Sequence, residues 1–196
     1  MFGFGKKKEE SLWVLHEGTG NSDESLLRKG KSMGDAICQV SDSASDAFLK
    51  SVKENDTDLD TRDIENKVYL ETIILLIHLV DRISFSILGP EKRGIFIDAV
   101  VNQLTDVLSN SQPTEDLQKN FTRHFRSLLD QRQQEYASYQ IPESSDEAMG
   151  GTLYWEASKI FSELCSKPND IMTMMTAQTI IIGSLPILET KELLSN

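Results

Sequence analysis

The chain has 196 residues, of which 39% are hydrophobic and 26% charged, as in an ordinary folded domain rather than a disordered one. Its formal net charge of −11 opposes binding to phosphate backbones, so we expect no nucleic-acid partner. The two cysteines, Cys38 and Cys165, are far apart, and no apolar leader precedes them. This pattern predicts free thiols in the cytoplasm.

The first twenty residues differ in character from the rest of the chain. Two phenylalanines and three lysines in residues 1–8 are typical of weak contact with an anionic membrane surface, although a solvated tail is the simpler interpretation. Trp13, Val14 and Leu15 follow in a row without helical spacing. We therefore predict a flexible or extended N-terminal arm over residues 1–20 and one helical bundle domain over residues 21–196.

A long amphipathic helix is predicted to begin at Asn21 or Ser22, which are both good capping residues. Small and apolar residues then recur at alternating spacings of four and three, a heptad pattern that makes Met33, Ile37 and Val40 candidate interface residues. The partner of this seam is either another helix of the same chain, which we favour, or the same helix of a second copy. The seam comprises Leu26, Gly30, Met33, Ile37, Val40, Ala44 and Ala47.

Acidic residues dominate the segment 54–65. Acidic residues at alternate positions resemble those of a calcium-binding loop. However, the position where such a loop needs glycine is occupied by Thr61 if the loop starts at Asp56, and by Leu59 if it starts at Glu54. We therefore interpret the segment as a solvated linker, and cation binding there is a minor alternative.

The helix predicted near residues 61–88 is apolar over most of its circumference and should be the buried centre of the bundle. One narrow stripe of it is polar, comprising Glu71, His78, Asp81 and Arg82. These groups are expected to hydrogen-bond a neighbouring helix, because polar groups on a buried helix need partners. Their charges also argue against a membrane span, so we predict no integral membrane segment.

The sequence after the central helix predicts four further helices. Gly89-Pro90 should end the central helix and start the next, which extends to about Asn110. A helix from Pro113 and Thr114 has a core face up to Leu129, and its polar continuation to residue 141 is expected to project into solvent. Two more amphipathic or apolar helices are predicted over residues 153–164 and 170–188.

Methionines mark the last of these helices. Met172, Met174 and Met175 lie in a stretch without any charge, which favours either core packing or an adaptable partner surface. The fold class is therefore all-α, a single-domain bundle of about six helices.

The sequence carries no recognisable catalytic set, so an enzyme is the less favoured class. The leading hypothesis is a non-enzymatic interaction or regulatory module that binds a protein partner, or a second copy of itself, and needs no cofactor. The alternative is a bundle that binds a metal, haem or small apolar ligand near Glu71, His78 and His124, since carboxylate and imidazole groups from two helices can ligate one ion.

Overall fold

A computed structural model describes residues 21–56, 59–61, 64–141 and 150–195. The predicted N-terminal arm, its membrane-surface contact and part of the acidic linker lie outside these residues. The described residues form six α-helices and one 3-10 helix, with one isolated β-bridge between Gln140 and Thr152. The prediction of an all-α bundle is therefore confirmed. The elements are α1 (Asp23–Asn55), α2 (Glu65–Asn110), α3 (Glu115–Ala137), α4 (Leu153–Leu164), α5 (Ile171–Ser184), the 3-10 helix η1 (Leu185–Leu188) and α6 (Thr190–Ser195).

Four helices begin at side-chain caps. Ser22, Thr114, Thr152 and Asp170 each have extended backbone angles and accept a hydrogen bond from the backbone N–H three residues ahead. Each cap satisfies one of the free N–H groups in the first turn of its helix. The predicted helix starts at Ser22 and Thr114 therefore have a direct physical cause.

Helix α1 packs against α2 through glycines. A Cβ atom built on Gly30 would lie 2.6 Å from the Cβ of Ala99 and 2.6 Å from the carbonyl oxygen of Phe96. Only a residue without a side chain permits this separation of the two helices. Gly34 makes a similar approach to Gln103, one turn further along both helices, so this half of α2 runs parallel to α1.

Helix α2 is two helices that meet at a sharp corner. Gly89 has φ 71° and ψ 177°, a conformation essentially restricted to glycine, and the helical segments 65–88 and 90–110 continue on either side. All ten residues of the run 71–80 are buried. The prediction of a central buried helix that stops at Gly89-Pro90 is therefore confirmed.

The shorter C-terminal helices complete the core. Phe48 of α1 and Phe161 of α4 pack edge to face, with ring centroids 5.5 Å apart. At the other end of α1, the side-chain amide of Asn21 donates to the carbonyl oxygen of Leu194 in α6. Because the chain's last described helix is tied to the start of its first, both ends of the described bundle are anchored.

Candidate functional site

The polar stripe of α2 faces α3. Glu71, at the start of the stripe, is almost fully buried, and its carboxylate accepts a hydrogen bond from the Tyr136 hydroxyl at 2.5 Å. The Nε of Arg132 lies 3.1 Å from the same carboxylate, and its guanidinium also contacts Glu135. Burial raises the pKa of Tyr136, and the adjacent Glu71 carboxylate raises it further, so the phenol acts as a neutral donor.

His78, two turns further along, has both ring nitrogens engaged. Arg82 donates from Nε to Nε2 of His78 at 2.9 Å, and an arginine can only donate. The imidazole is therefore neutral with its proton on Nδ1, which donates to the side-chain oxygen of Gln133 at 2.7 Å. Burial lowers the pKa of His78, Gln133 opposes this effect, and the Arg82 charge lowers the pKa further.

Arg82 then connects the stripe to the end of α3. Its terminal nitrogen donates to the carbonyl oxygens of Tyr136 at 3.0 Å and Tyr139 at 2.8 Å. The last carbonyl groups of a helix have no partner within the helix and carry a partial negative charge, so a guanidinium stabilises them. A residue of α2 thus caps the C-terminus of α3.

Asp81 turns toward the corner of α2 instead. It forms an ion pair with Arg93, which lies on the other side of Gly89, and so holds the two halves of α2 together. The four residues of the predicted stripe therefore serve two contacts: Glu71, His78 and Arg82 bind α3, and Asp81 binds the second half of α2.

The expectation that the polar half of α3 projects into solvent is wrong. Tyr136 is completely buried, and Arg132 and Gln133 are only partly exposed. Sequence reasoning missed these three partners of the stripe. Their spacing carried a signal, because Tyr136 lies seven residues after Leu129 and so extends the core face of α3 by two turns.

His124 does not join Glu71 and His78. It lies on α3 with an exposed side chain, whereas Glu71 and His78 are buried and already hydrogen-bonded to other residues. Within the described ranges, no group of three or more His, Cys, Asp and Glu side chains is placed to hold a metal ion. The three residues proposed to ligate a metal are therefore not assembled in this structure.

A surface groove of about 1010 Å³ lies beside His78 and Arg82. Phe85, which is 55% exposed, and Tyr139 supply apolar surface to it. Its charged side chains are already engaged, since Asp81 pairs with Arg93 and Arg82 binds His78 and the carbonyl groups of α3. The groove therefore offers a ligand both polar and apolar surface, and its charged groups are already paired within the protein.

The candidate interface residues fall into two groups. Met33, Ile37 and Val40 are buried within the chain, in agreement with an intrachain partner for the heptad seam. On α5, by contrast, Met172 is 63% and Met175 is 50% exposed, while Met174 between them is buried. Of the six candidate interface residues, only Met172 and Met175 are available to a partner in this structure.

The exposed methionines belong to a larger apolar surface, which we call the α5 face. Nine large hydrophobic side chains are exposed in the described part of the chain, and five of them lie on α5 and η1. No charged residue occurs between Asp170 and Glu189. The α5 face comprises Ile171, Met172, Met175, Ile182 and Ile187.

Two helical stretches of the described chain are long and apolar enough to cross a membrane, Glu65–Asn110 and Ile171–Ser195. Of the 18 most apolar consecutive residues in each stretch, 56% are buried inside the fold in the first and 39% in the second. The core helix of a soluble protein meets the same criterion. The expectation that the chain has no integral membrane segment stays a prediction.

Comparison with known proteins adds no assignment. No protein-family model matches the chain, and no curated protein or solved structure is significantly similar to it. The structure defines an all-α helical bundle with a buried polar network between α2 and α3 and an uncharged, exposed face on α5.

Proposed function

We propose that this chain is a non-enzymatic helical interaction module that binds a protein partner through the α5 face. The observation that carries this proposal is the concentration of exposed apolar side chains on one short segment. Contiguous apolar surface is typical of interaction sites, whereas scattered apolar residues are normal on any protein surface. Methionine suits such a surface, because its flexible, polarisable side chain adapts to the shape of a partner.

The polar network supports the same interpretation, because its buried carboxylate and imidazole are already engaged by other side chains. Glu71 is paired with Arg132 and Tyr136, and both nitrogens of His78 are hydrogen-bonded. A catalytic acid or base needs a lone pair or proton that can reach a substrate. Groups engaged in this way instead fix the position of α3 against α2.

A photo-crosslinking residue in place of Met175 tests the proposal in cells of the source organism. The matched control carries the same crosslinker in place of Leu117, an exposed apolar residue on α3. We expect a discrete covalent adduct from position 175 and none from position 117. No adduct at 175, or the same adducts at both positions, would argue against an interaction site on α5.

The second candidate function is a bundle that binds a small ligand, and the groove beside His78 favours it. Of the three residues we expected at such a site, only His78 lines the groove. An apolar ligand would lie against Phe85, so Phe85→Ser should weaken the binding of a hydrophobic fluorescent dye. Purified protein without bound metal, chromophore or saturable dye binding would exclude this candidate.

A further inference from the structure

The groove beside His78 has an unequal balance of charge. Among the described residues, three charged side chains line it, Asp81, Arg82 and Arg93. Asp81 neutralises Arg93, with which it forms an ion pair, and His78 is neutral, so the charge of Arg82 is left over. The C-terminal end of α3, which Arg82 caps, offsets roughly half of this charge. The lining of the groove is therefore positive, although the chain as a whole has a net charge of −11.

Both guanidinium groups also keep hydrogen-bond donors that the protein does not use. Arg82 donates through Nε and Nη2 to His78 and to carbonyl oxygens at the end of α3, and Arg93 donates through Nε and Nη2 to Asp81. In the part of the chain that the structure describes, the Nη1 atom of each arginine has no hydrogen-bond partner, and neither atom is buried. Each Nη1 carries two N–H groups, which suit the oxygen atoms of an acidic group.

Apolar surface lies next to these donors. Phe85 follows Arg82 by three residues, so the two side chains are on the same face of α2, and the Phe85 side chain is 55% exposed. Tyr139 and Ile141, which follow α3, line the same groove. Its volume of about 1010 Å³ is sufficient for a small molecule, since ligand sites typically measure roughly 300–1,000 Å³.

We propose that this groove binds a small amphipathic organic anion. The acidic group of the ligand lies at the Nη1 atoms of Arg82 and Arg93, and its aromatic or aliphatic body lies against Phe85. The inference rests on the second candidate function and deepens it by naming the chemical class of the ligand. It does not depend on the α5 face.

Two fluorescent dyes test this proposal on the full chain. Anilinonaphthalene sulfonate and phenylnaphthylamine share the same aromatic rings, but only the first carries a negative charge. Phe85→Ser should weaken the binding of both dyes. Arg93→Gln leaves Asp81 to offset Arg82, so it should weaken the anionic dye by about fivefold and the neutral dye by less than about twofold. Arg93→Lys, which retains the charge, should preserve most of the affinity for the anionic dye.

The comparison of the two dyes separates charge from structure. A variant that only loosens the groove changes both affinities together, whereas loss of positive charge changes one. The matched control is Arg126→Gln, the same change at an exposed site of α3 outside the groove, and it should leave both affinities unchanged. Raising the ionic strength from about 0.01 M to 1 M should weaken only the anionic dye. This salt dependence is measured on the unaltered chain, so it decides the question even if Arg93→Gln does not fold.

The outcomes separate this inference from the functions proposed above. If neither dye bound saturably, the second candidate function would fall, and this inference with it. Equal losses for the two dyes in Arg93→Gln, or salt-independent binding of the anionic dye, would overturn the anion alone. Binding that is lost in Met175→Ser but not in Phe85→Ser would place the dyes on the α5 face and also overturn it. Crosslinking from position 175 tests the α5 face independently of all these results.

Discussion

The hydroxyl of Tyr136 offers the sharpest test of the network between α2 and α3. Tyr136→Phe removes one oxygen atom and leaves the ring, which is fully buried beside His78. Glu71 then loses its 2.5 Å hydrogen bond and keeps the ion pair with Arg132. The substitution therefore isolates a single buried contact.

The size of the effect follows from the charge and burial of Glu71. A hydrogen bond to a charged group contributes about 1.5–3 kcal/mol, and Glu71 is 3% exposed, so water cannot replace the lost donor. We expect Tyr136→Phe to lower the free energy of unfolding by about 2 kcal/mol. In a domain of this size each kcal/mol shifts Tm by roughly 2–4 °C, so Tm should fall by about 4–8 °C.

Urea unfolding followed by circular dichroism measures this change. The control is Tyr154→Phe, because Tyr154 is half-buried on α4 and its hydroxyl makes no hydrogen bond within the part of the chain that the structure describes. We expect the control to change stability by less than about 0.5 kcal/mol. Equal effects of the two substitutions would refute the assignment of Glu71 as the partner of Tyr136.

Three further predictions concern stability, each measurable by denaturant unfolding. Burial lowers the pKa of His78 in the folded protein, so the unfolded chain binds a proton at this imidazole more readily. The free energy of unfolding should therefore be at its full value above about pH 6.5 and decrease as the pH falls below it. His78→Gln should flatten this decline between pH 6.5 and 5, whereas the exposed-site control His124→Gln should preserve it. Gly30→Ala should cost about 1–3 kcal/mol because its Cβ has no room, whereas Gly94→Ala, with open space, should be neutral or stabilising by up to about 1 kcal/mol. Gly89→Ala should cost about 1–3 kcal/mol because of its φ of 71°, and an unchanged midpoint would contradict the observed corner.

Local signals in the sequence were sufficient for the architecture of the central helices. The apolar run before Gly89-Pro90 had too wide a hydrophobic face for a surface position, and glycine followed by proline both ends one helix and permits the next. The caps at Ser22 and Thr114 could likewise be read from side-chain chemistry. These features depend on neighbouring residues only, so one sequence suffices to predict them.

The α3 partners of the polar stripe lie more than fifty positions away from it in the sequence. Glu71 and His78 require partners, but their own sequence neighbourhood does not say which helix supplies them. Arg132 and Gln133 resemble ordinary solvent-exposed residues until α3 is placed against α2. Similarly, the sequence showed that Met172, Met174 and Met175 lie on one apolar helix, while only the packing of α5 distinguishes the buried Met174 from its exposed neighbours.

Methyl NMR of methionine tests the central claim, that the α5 face is the binding surface, most directly. The Met172 and Met175 methyl groups report on the face, and the buried Met174 and Met33 methyl groups serve as internal controls in the same sample. As the protein concentration increases from about 10 µM to 1 mM, or after extract from the source cells is added, we predict shifts or broadening of Met172 and Met175 but not of Met174 or Met33. Four unchanged signals, both over this range and after addition of extract from the source cells, would contradict the account.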